Sequence, residues 1–208
     1  MVFASRKDAG QKLGRFLAAR ELRVDVVLGL PRGGVVVAAE VARRLGARLD
    51  VLVVRKLGHP LHREFAVGAL AEGDVVVLDE AVIGANPIVR HELEGVLREE
   101  KDRLKSYQAR FHQGGVMTAE NKLVLLVDDG LATGATTEAA VLSARKQHAR
   151  RITVAAPVAS THAVERLQKV ADEVIALHVD PWFDAVGRYY DEFSQTTDEE
   201  VSALLRAG

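Results

Sequence analysis

An unbroken apolar run, Leu123-Val124-Leu125-Leu126-Val127, ends abruptly in two adjacent carboxylates, Asp128 and Asp129. A strand with no polar alternation must be covered on both faces, which favours a parallel sheet with helices on either side. The next residues, Gly130-Leu131-Ala132-Thr133-Gly134-Ala135-Thr136-Thr137, are small and run into a helix predicted over 136–148. Small side chains let backbone N–H groups converge, threonine hydroxyls add donors, and a helix start carries positive partial charge; together they make a phosphate cradle. Walker A requires a lysine after its last glycine, whereas Ala135 follows Gly134, and G-x-G-x-x-G is absent. The plain alternative is a strand, a turn and a capped helix, which leaves the two carboxylates without a purpose.

The rest of the chain alternates two periodicities. Ala9, Leu13, Phe16 and Leu17 recur at helical spacing, a strand is predicted over 24–28, a helix over 34–45, and a second valine-rich strand over 49–54. Segments 66–70 and 75–78 read as a hairpin around Glu72-Gly73-Asp74. A long charged helix is expected over 87–111, with Val89, Leu93, Val96, Leu97, Leu104 and Tyr107 on its buried face and Gln113-Gly114-Gly115 ending it. Its charges read most simply as a solvated outer face. Strands over 122–127, 152–157 and 173–177 follow, with helices over 136–148 and 162–170 between them. Thr197-Asp198-Glu199-Glu200 fits a capping box for a last helix. Repeated strand–helix–strand units imply right-handed crossovers and a doubly wound sheet, whose ligands bind beyond the carboxyl ends of the strands.

Composition narrows the classes. With 208 residues, 48% of them hydrophobic, the chain can bury one core, and a single domain over 1–208 is expected. A net charge of −1 gives no basic field for nucleic acid, so the expected partners are small molecules or a second copy of the chain. The absence of cysteine excludes disulfides, thiolate catalysis and cysteine-ligated metals. No signal-like or membrane-length apolar stretch is present, and a cytoplasmic location without membrane attachment is the expectation.

Two further strand ends carry chemistry. Gly29-Leu30-Pro31-Arg32-Gly33-Gly34 lies between a strand and a helix, where glycines permit close backbone approach and Arg32 supplies a forked donor. Read alone it is also an ordinary turn with an exposed arginine. Arg55-Lys56-Leu57-Gly58-His59-Pro60-Leu61-His62-Arg63-Glu64 ends the second strand; its two histidines lack the carboxylates of a zinc site and read as solvated.

Val127-Asp128-Asp129-Gly130 with Ala132-Thr133-Gly134-Ala135-Thr136 resembles the phosphoribosyl pyrophosphate signature of the type I phosphoribosyltransferases, and the whole chain resembles a bacterial branch of that family. The resemblance implies an α/β fold with a doubly wound, mostly parallel sheet over about 8–178, a small hood over about 179–192, and a β-hairpin or lid insertion. It implies a transferase that uses phosphoribosyl pyrophosphate with Mg²⁺ and joins ribose 5-phosphate to a nitrogenous, purine-like base, released pyrophosphate being the leaving group. Asp128, Asp129, Lys56 and Arg32 then carry the catalysis, with Arg55 as the alternative to Lys56. Ala132, Thr133, Gly134, Ala135, Thr136 and Thr137 grip the 5′-phosphate; Pro31, Gly33 and Gly34 approach the pyrophosphate; and residues 58–64 form the lid. The segment 180–191 resembles the purine hood in Val186-Gly187 and Asp191, and Asp191 is implied to reach the Mg²⁺ pyrophosphate. Where that hood carries its stacking aromatic this chain has Asp184, so Trp182 or Phe183 either stacks on the base or packs the sheet edge. The family also implies a homodimer. A non-catalytic protein that senses a phosphoribosyl group or nucleotide in the same pocket is the competing reading.

Overall fold

The computed structural model describes residues 2–84, 87–112 and 118–207. The elements run α1 (Arg6–Ala19), β1 (Val26–Gly29), α2 (Gly33–Leu45), β2 (Arg48–Val51), β3 (Val54–His59), β4 (His62–Ala71), β5 (Val75–Leu78), α3 (Glu80–Ile83) and α4 (Pro87–Phe111). They continue with β6 (Leu123–Val127), α5 (Ala135–Lys146), β7 (Arg151–Ser160), α6 (Thr161–Leu167), β8 (Glu173–Asp180), a 3₁₀ turn (Val186–Tyr189) and α7 (Asp198–Ala207).

β2-β1-β6-β7-β8 form a parallel five-stranded sheet. Side-chain alternation sends Val27, Leu125, Val127 and Ala155 to one face, against Leu13 and Leu17 of α1 and Val37 and Val41 of α2. Val26, Leu28, Val124, Leu126 and Val154 face the other way, against Ala139, Ala140 and Ala144 of α5 and Ala163 and Leu167 of α6. Helices therefore cover both faces, and the expected doubly wound sheet is present.

The expected 49–54 strand is in fact two strands in two sheets. β2 pairs with β1 as far as Val51 beside Gly29, and the Leu52 N–H makes one more bond to the Gly29 carbonyl at 3.2 Å. Val53 N–H then turns to the buried Glu72 carboxylate at 2.8 Å, and β3 joins β4 and β5 in an antiparallel sheet. The apolar run continues across the break because both strands are buried, so hydrophobicity alone does not mark it. The 66–70/75–78 hairpin is present, with Gly68 opposite Leu78 and Ala71 opposite Val75, and Gly73 and Asp74 turn it at positive φ. Residues 58–64, expected as a loop, instead close the β3–β4 hairpin, with His59 opposite His62. A bulge at Gly58 shapes the hairpin; a Cβ there would lie 2.3 Å from the Arg63 carbonyl oxygen. The antiparallel sheet is sandwiched: Ala69 and Ala71 face α5, whereas Leu70 and Leu57 face Leu104 and Phe111 of α4.

α4 spans the expected range, and Leu93, Val96 and Leu104 are buried beneath it. Its surface is not wholly solvated. Glu100 is 5% exposed and accepts hydrogen bonds from Arg55 of β3 at 2.8 Å and Arg103 at 2.6 Å. The side chain of Val89 and the expected terminator Gln113-Gly114-Gly115 lie outside the described residues. No helix among the described residues is long and apolar enough to cross a membrane.

The capping box of α7 forms reciprocally: Thr197 N–H donates to the Glu200 carboxylate at 2.8 Å and Glu200 N–H to the Thr197 hydroxyl at 3.2 Å. Thr197→Ala should cost about 1 kcal/mol, lowering Tm by about 2–4 °C in a thermal melt. An unchanged melting curve would show that α7 does not depend on this cap.

Candidate functional site

β1 and β6 are parallel neighbours, with Gly29 beside Val127. After β1 the chain crosses through α2 to β2 on one side; after β6 it crosses through α5 to β7 on the other. The two exit loops diverge at this switch point and open a crevice above the strand ends. A cavity of ≈ 250 Å³ lies there, lined by Pro31, Arg32 and Gly33 of the first loop, Lys56 of β3, Asp128 to Gly134 of the third, and Thr136, Thr137 and Val186. An adjoining cavity of ≈ 340 Å³ shares Pro31, Arg32, Lys56 and Thr136. Three segments distant in sequence thus meet in one place.

The acid pair sits at the base of the crevice. Asp128 Oδ1 accepts the Asp129 N–H at 2.8 Å. Burial at the strand end pushes the Asp128 carboxyl well above the usual carboxylate range, and the neighbouring Asp129 pushes it further, while Lys56 and Arg6 oppose the rise. Asp128 remains in contact with solvent through the cavity it lines. Asp129 is held from two sides: Arg6 Nε donates to its Oδ2 at 2.7 Å, and the Tyr190 hydroxyl donates to its backbone carbonyl at 2.6 Å. The glycines of the first loop make room for these carboxylates. A Cβ on Gly33 would lie 2.0 Å from Asp129 Oδ2 and 2.5 Å from Arg6 Nε, and one on Gly34 would lie 2.9 Å from Asp128 Oδ1.

The small-residue loop has open donors. Gly134 adopts the left-handed conformation at φ 75° and leaves α5 without a side-chain cap. The N–H groups of Ala132, Thr133, Gly134, Thr136 and Thr137 meet no acceptor among the described residues, while Ala135 N–H makes only a 3.4 Å bond to the Thr133 hydroxyl. α2, which follows Arg32 beside the same crevice, also lacks a side-chain cap. By contrast α1, α6 and α7 are capped by the side chains of Ser5, Ser160 and Thr197. The uncapped helix starts around the crevice leave N–H donors and positive partial charge for an anion.

The two cations flank this pair of helices. The Pro31–Arg32 peptide is cis, and Arg32 Nη1 lies 3.7 Å from Asp198 Oδ1 at the start of α7. On β3, alternation separates Arg55 from Lys56. Arg55 turns to Glu100, lies 5.2 Å from the Tyr107 ring centre and, of the two cavities, lines only the adjoining one, whereas Lys56 is exposed and lines both.

The hood is brought over the same place only in part. Val186 packs on Gly130, where a Cβ would meet it at 2.7 Å, and Tyr190 holds Asp129. Phe183 stacks on Tyr189 with ring centres 5.1 Å apart, and Trp182 is 89% exposed; neither lines the crevice. Asp191 is exposed as well, away from the cavity lining, with its N–H bonded to the Phe3 carbonyl at 2.8 Å. Arg6 and Tyr190 are the residues that sequence reasoning missed as parts of the site. No local pattern marks Arg6, which reaches Asp129 across 123 residues.

The phosphoribosyl transferase domain model matches residues 7–193. A Mycobacterium tuberculosis H37Rv protein provisionally named a phosphoribosyl transferase is 42% identical over 205 residues, covering 98% of this chain and 46% of its own. The chain therefore spans about half the length of the curated relatives it matches. The crystal structure of TT1426 from Thermus thermophilus is 47% identical, with a TM-score of 0.81 over 99% of this chain and 98% of that one. A hypothetical protein from Neisseria gonorrhoeae with bound ppGpp shares only the fold, at 12% identity and a TM-score of 0.51 over 99% of this chain and 96% of that one.

Because the Asp128 carboxyl is raised in the folded state, the stability it contributes at low pH is lost as pH rises through the folded value. Asn at this position keeps the acceptor for Asp129 N–H and does not titrate. The Tm of Asp128→Asn relative to the unsubstituted protein should therefore rise between about pH 5 and about pH 9, by about 3 °C or more. A difference that stays constant across that range would show that Asp128 is not raised.

Proposed function

The chain belongs to the phosphoribosyl transferase domain family, and from that membership we propose that it transfers ribose 5-phosphate from phosphoribosyl pyrophosphate to a nitrogenous base. The observation that carries this reading is the convergence, on one crevice, of the open amides of 132–137, the acid pair, and the cations Arg32 and Lys56.

The 5′-phosphate sits on the amides of Ala132, Thr133, Gly134, Thr136 and Thr137, where the α5 start favours its charge. The ribose hydroxyls then fall against Asp128 and Asp129. The pyrophosphate extends toward Arg32, Lys56 and the adjoining cavity. As the bond from C1 to the pyrophosphate oxygen breaks, its electron pair leaves with pyrophosphate, and a nitrogen lone pair of the base forms the new bond. The Asp129 carboxylate opposes the positive charge that develops on the sugar, and Arg32 and Lys56 stabilise the departing anion.

Mg²⁺ fits as a companion of the substrate. Among the described residues no three His, Asp or Glu side chains converge into a cation cage, and Mg²⁺ commonly relies on one or two carboxylates, waters and substrate phosphates. Asp128 and Asp129 are the carboxylates at the crevice; Asp191 lies outside it. When bound, the ion would neutralise pyrophosphate charge. A base would enter beneath Val186, and its identity is read by pyrophosphate release.

A competing reading, a sensor without turnover, is favoured by one observation: Asp129 is already paired with Arg6. The two part on measurement. Incubation with phosphoribosyl pyrophosphate, Mg²⁺ and a panel of purine and other bases should release pyrophosphate with at least one base, and silence across the panel would overturn the transferase reading. Lys56→Ala should lower turnover about a hundredfold, the usual cost of one preorganised charge contact. A sensor would instead keep its ligand affinity in Lys56→Ala and show no turnover in either form. Asp129→Asn should reduce kcat more than it weakens substrate binding; equal losses in both would contradict a role in the transition state.

A further inference from the structure

Arg6 has no counterpart in the loops that define the crevice, yet three contacts from two segments hold it. Its Nε donates to Asp129 Oδ2 at 2.7 Å, its Nη1 donates to the Ser194 carbonyl at 2.7 Å, and its guanidinium carbon lies 3.9 Å from the centre of the Phe193 ring. The Arg6 and Asp129 side chains are 12% and 15% exposed, so this pair is far less screened than a surface salt bridge. The Ser5 cap fixes the start of α1, from which Arg6 reaches out. Phe3 ties the same segment to the hood through N–H to the Tyr189 carbonyl and carbonyl to the Asp191 N–H, both at 2.8 Å. Gly33 then leaves the space in which the pair lies.

The charged and titratable groups facing the acid pair are Arg6 from α1, Lys56 from β3 and the Tyr190 hydroxyl from the hood, while the start of α2 presents only Gly33 and Gly34. Lys56 is exposed on the crevice side and free to meet a ligand. Arg6 stands behind Asp129, away from the lining of the crevice. Its Nε engages one carboxylate oxygen while Nη1 is held by the Ser194 carbonyl, leaving the other carboxylate oxygen for a ligand hydroxyl.

We propose that Arg6 is a positioning residue that clamps Asp129 between α1 and the hood so that its free oxygen receives a ribose hydroxyl. The proposal rests on the reading of the crevice as a ribose 5-phosphate site. Arg6 does not touch the phosphate, which belongs to residues 132–137, so its removal acts on the sugar alone.

Calorimetric titration of ribose 5-phosphate and of inorganic phosphate into the unsubstituted protein, Arg6→Gln and Arg6→Lys separates the possibilities. Loss of a charge-supported hydrogen bond should weaken ribose 5-phosphate about tenfold or more in Arg6→Gln. Inorganic phosphate should change less than about twofold, which also reports that the loop is folded. Arg6→Lys restores the charge without the fork and should recover part of the ribose 5-phosphate affinity. Parallel loss of both ligands in Arg6→Gln, with no recovery in Arg6→Lys, would reduce Arg6 to a structural tie and overturn the proposal. Unchanged ribose 5-phosphate affinity in Arg6→Gln would also overturn it. If the unsubstituted protein binds ribose 5-phosphate no more tightly than phosphate, the sugar reading of the acid pair fails, and the role of Arg6 fails with it.

Discussion

Two carboxylates at the end of a strand buried on both faces are costly to hold, and the surrounding structure is arranged around that cost. Charge in a poorly solvated place must be neutralised, hydrogen-bonded or protonated. Asp129 takes the first two routes through Arg6 alone, Tyr190 holding only its backbone carbonyl, and Asp128 takes the third, its carboxyl raised by burial and by its neighbour. Adjacent residues of one type thereby acquire different characters, as acid pairs in functional sites commonly do. The packing follows from this division: Gly33 and Gly34 have no side chains because the carboxylates occupy that space.

The balance of charge extends outward from the pair. Uncapped α2 and α5 bring positive partial charge to the crevice, while α1 and α6 are capped by serine side chains. Arg32 and Lys56 add full charges in the lining of the crevice, which does not include Arg6. The ligand proposed here, an anion with hydroxyl groups, would satisfy both halves at once, its phosphate at the amides and its hydroxyls at the acid pair. That complementarity is the physical basis of the phosphoribosyl transfer proposed for this crevice.

Much of this was legible in the chain. The run of 123–127, its acidic end and the Gly134 loop are contiguous, so local rules of strand burial and helix capping suffice to read them. The hairpin around Gly73 and the capping box at Thr197 are equally local. The break at Leu52–Val53 was hidden because both strands are buried, and the choice between sheets rests on the Val53 N–H meeting Glu72, 19 residues away. Glu100 read as one more solvated charge because nothing near it in sequence announces Arg55. The aromatic residues of the hood were legible as aromatic but not as placed: Phe183 packs on Tyr189, and Trp182 points to solvent.

The sequence by itself determined the α/β class, the small-residue loop at the start of α5 and the acid pair at the end of β6, because each depends on neighbours along the chain or on a burial pattern of short period. Only the tertiary structure decided which basic residue of β3 faces the crevice, why Gly33 must be glycine, and that Arg6 stands behind Asp129. Those outcomes depend on which segments meet across tens to hundreds of residues. Such meetings are settled by the packing of the sheet and its helices, and no local periodicity records them.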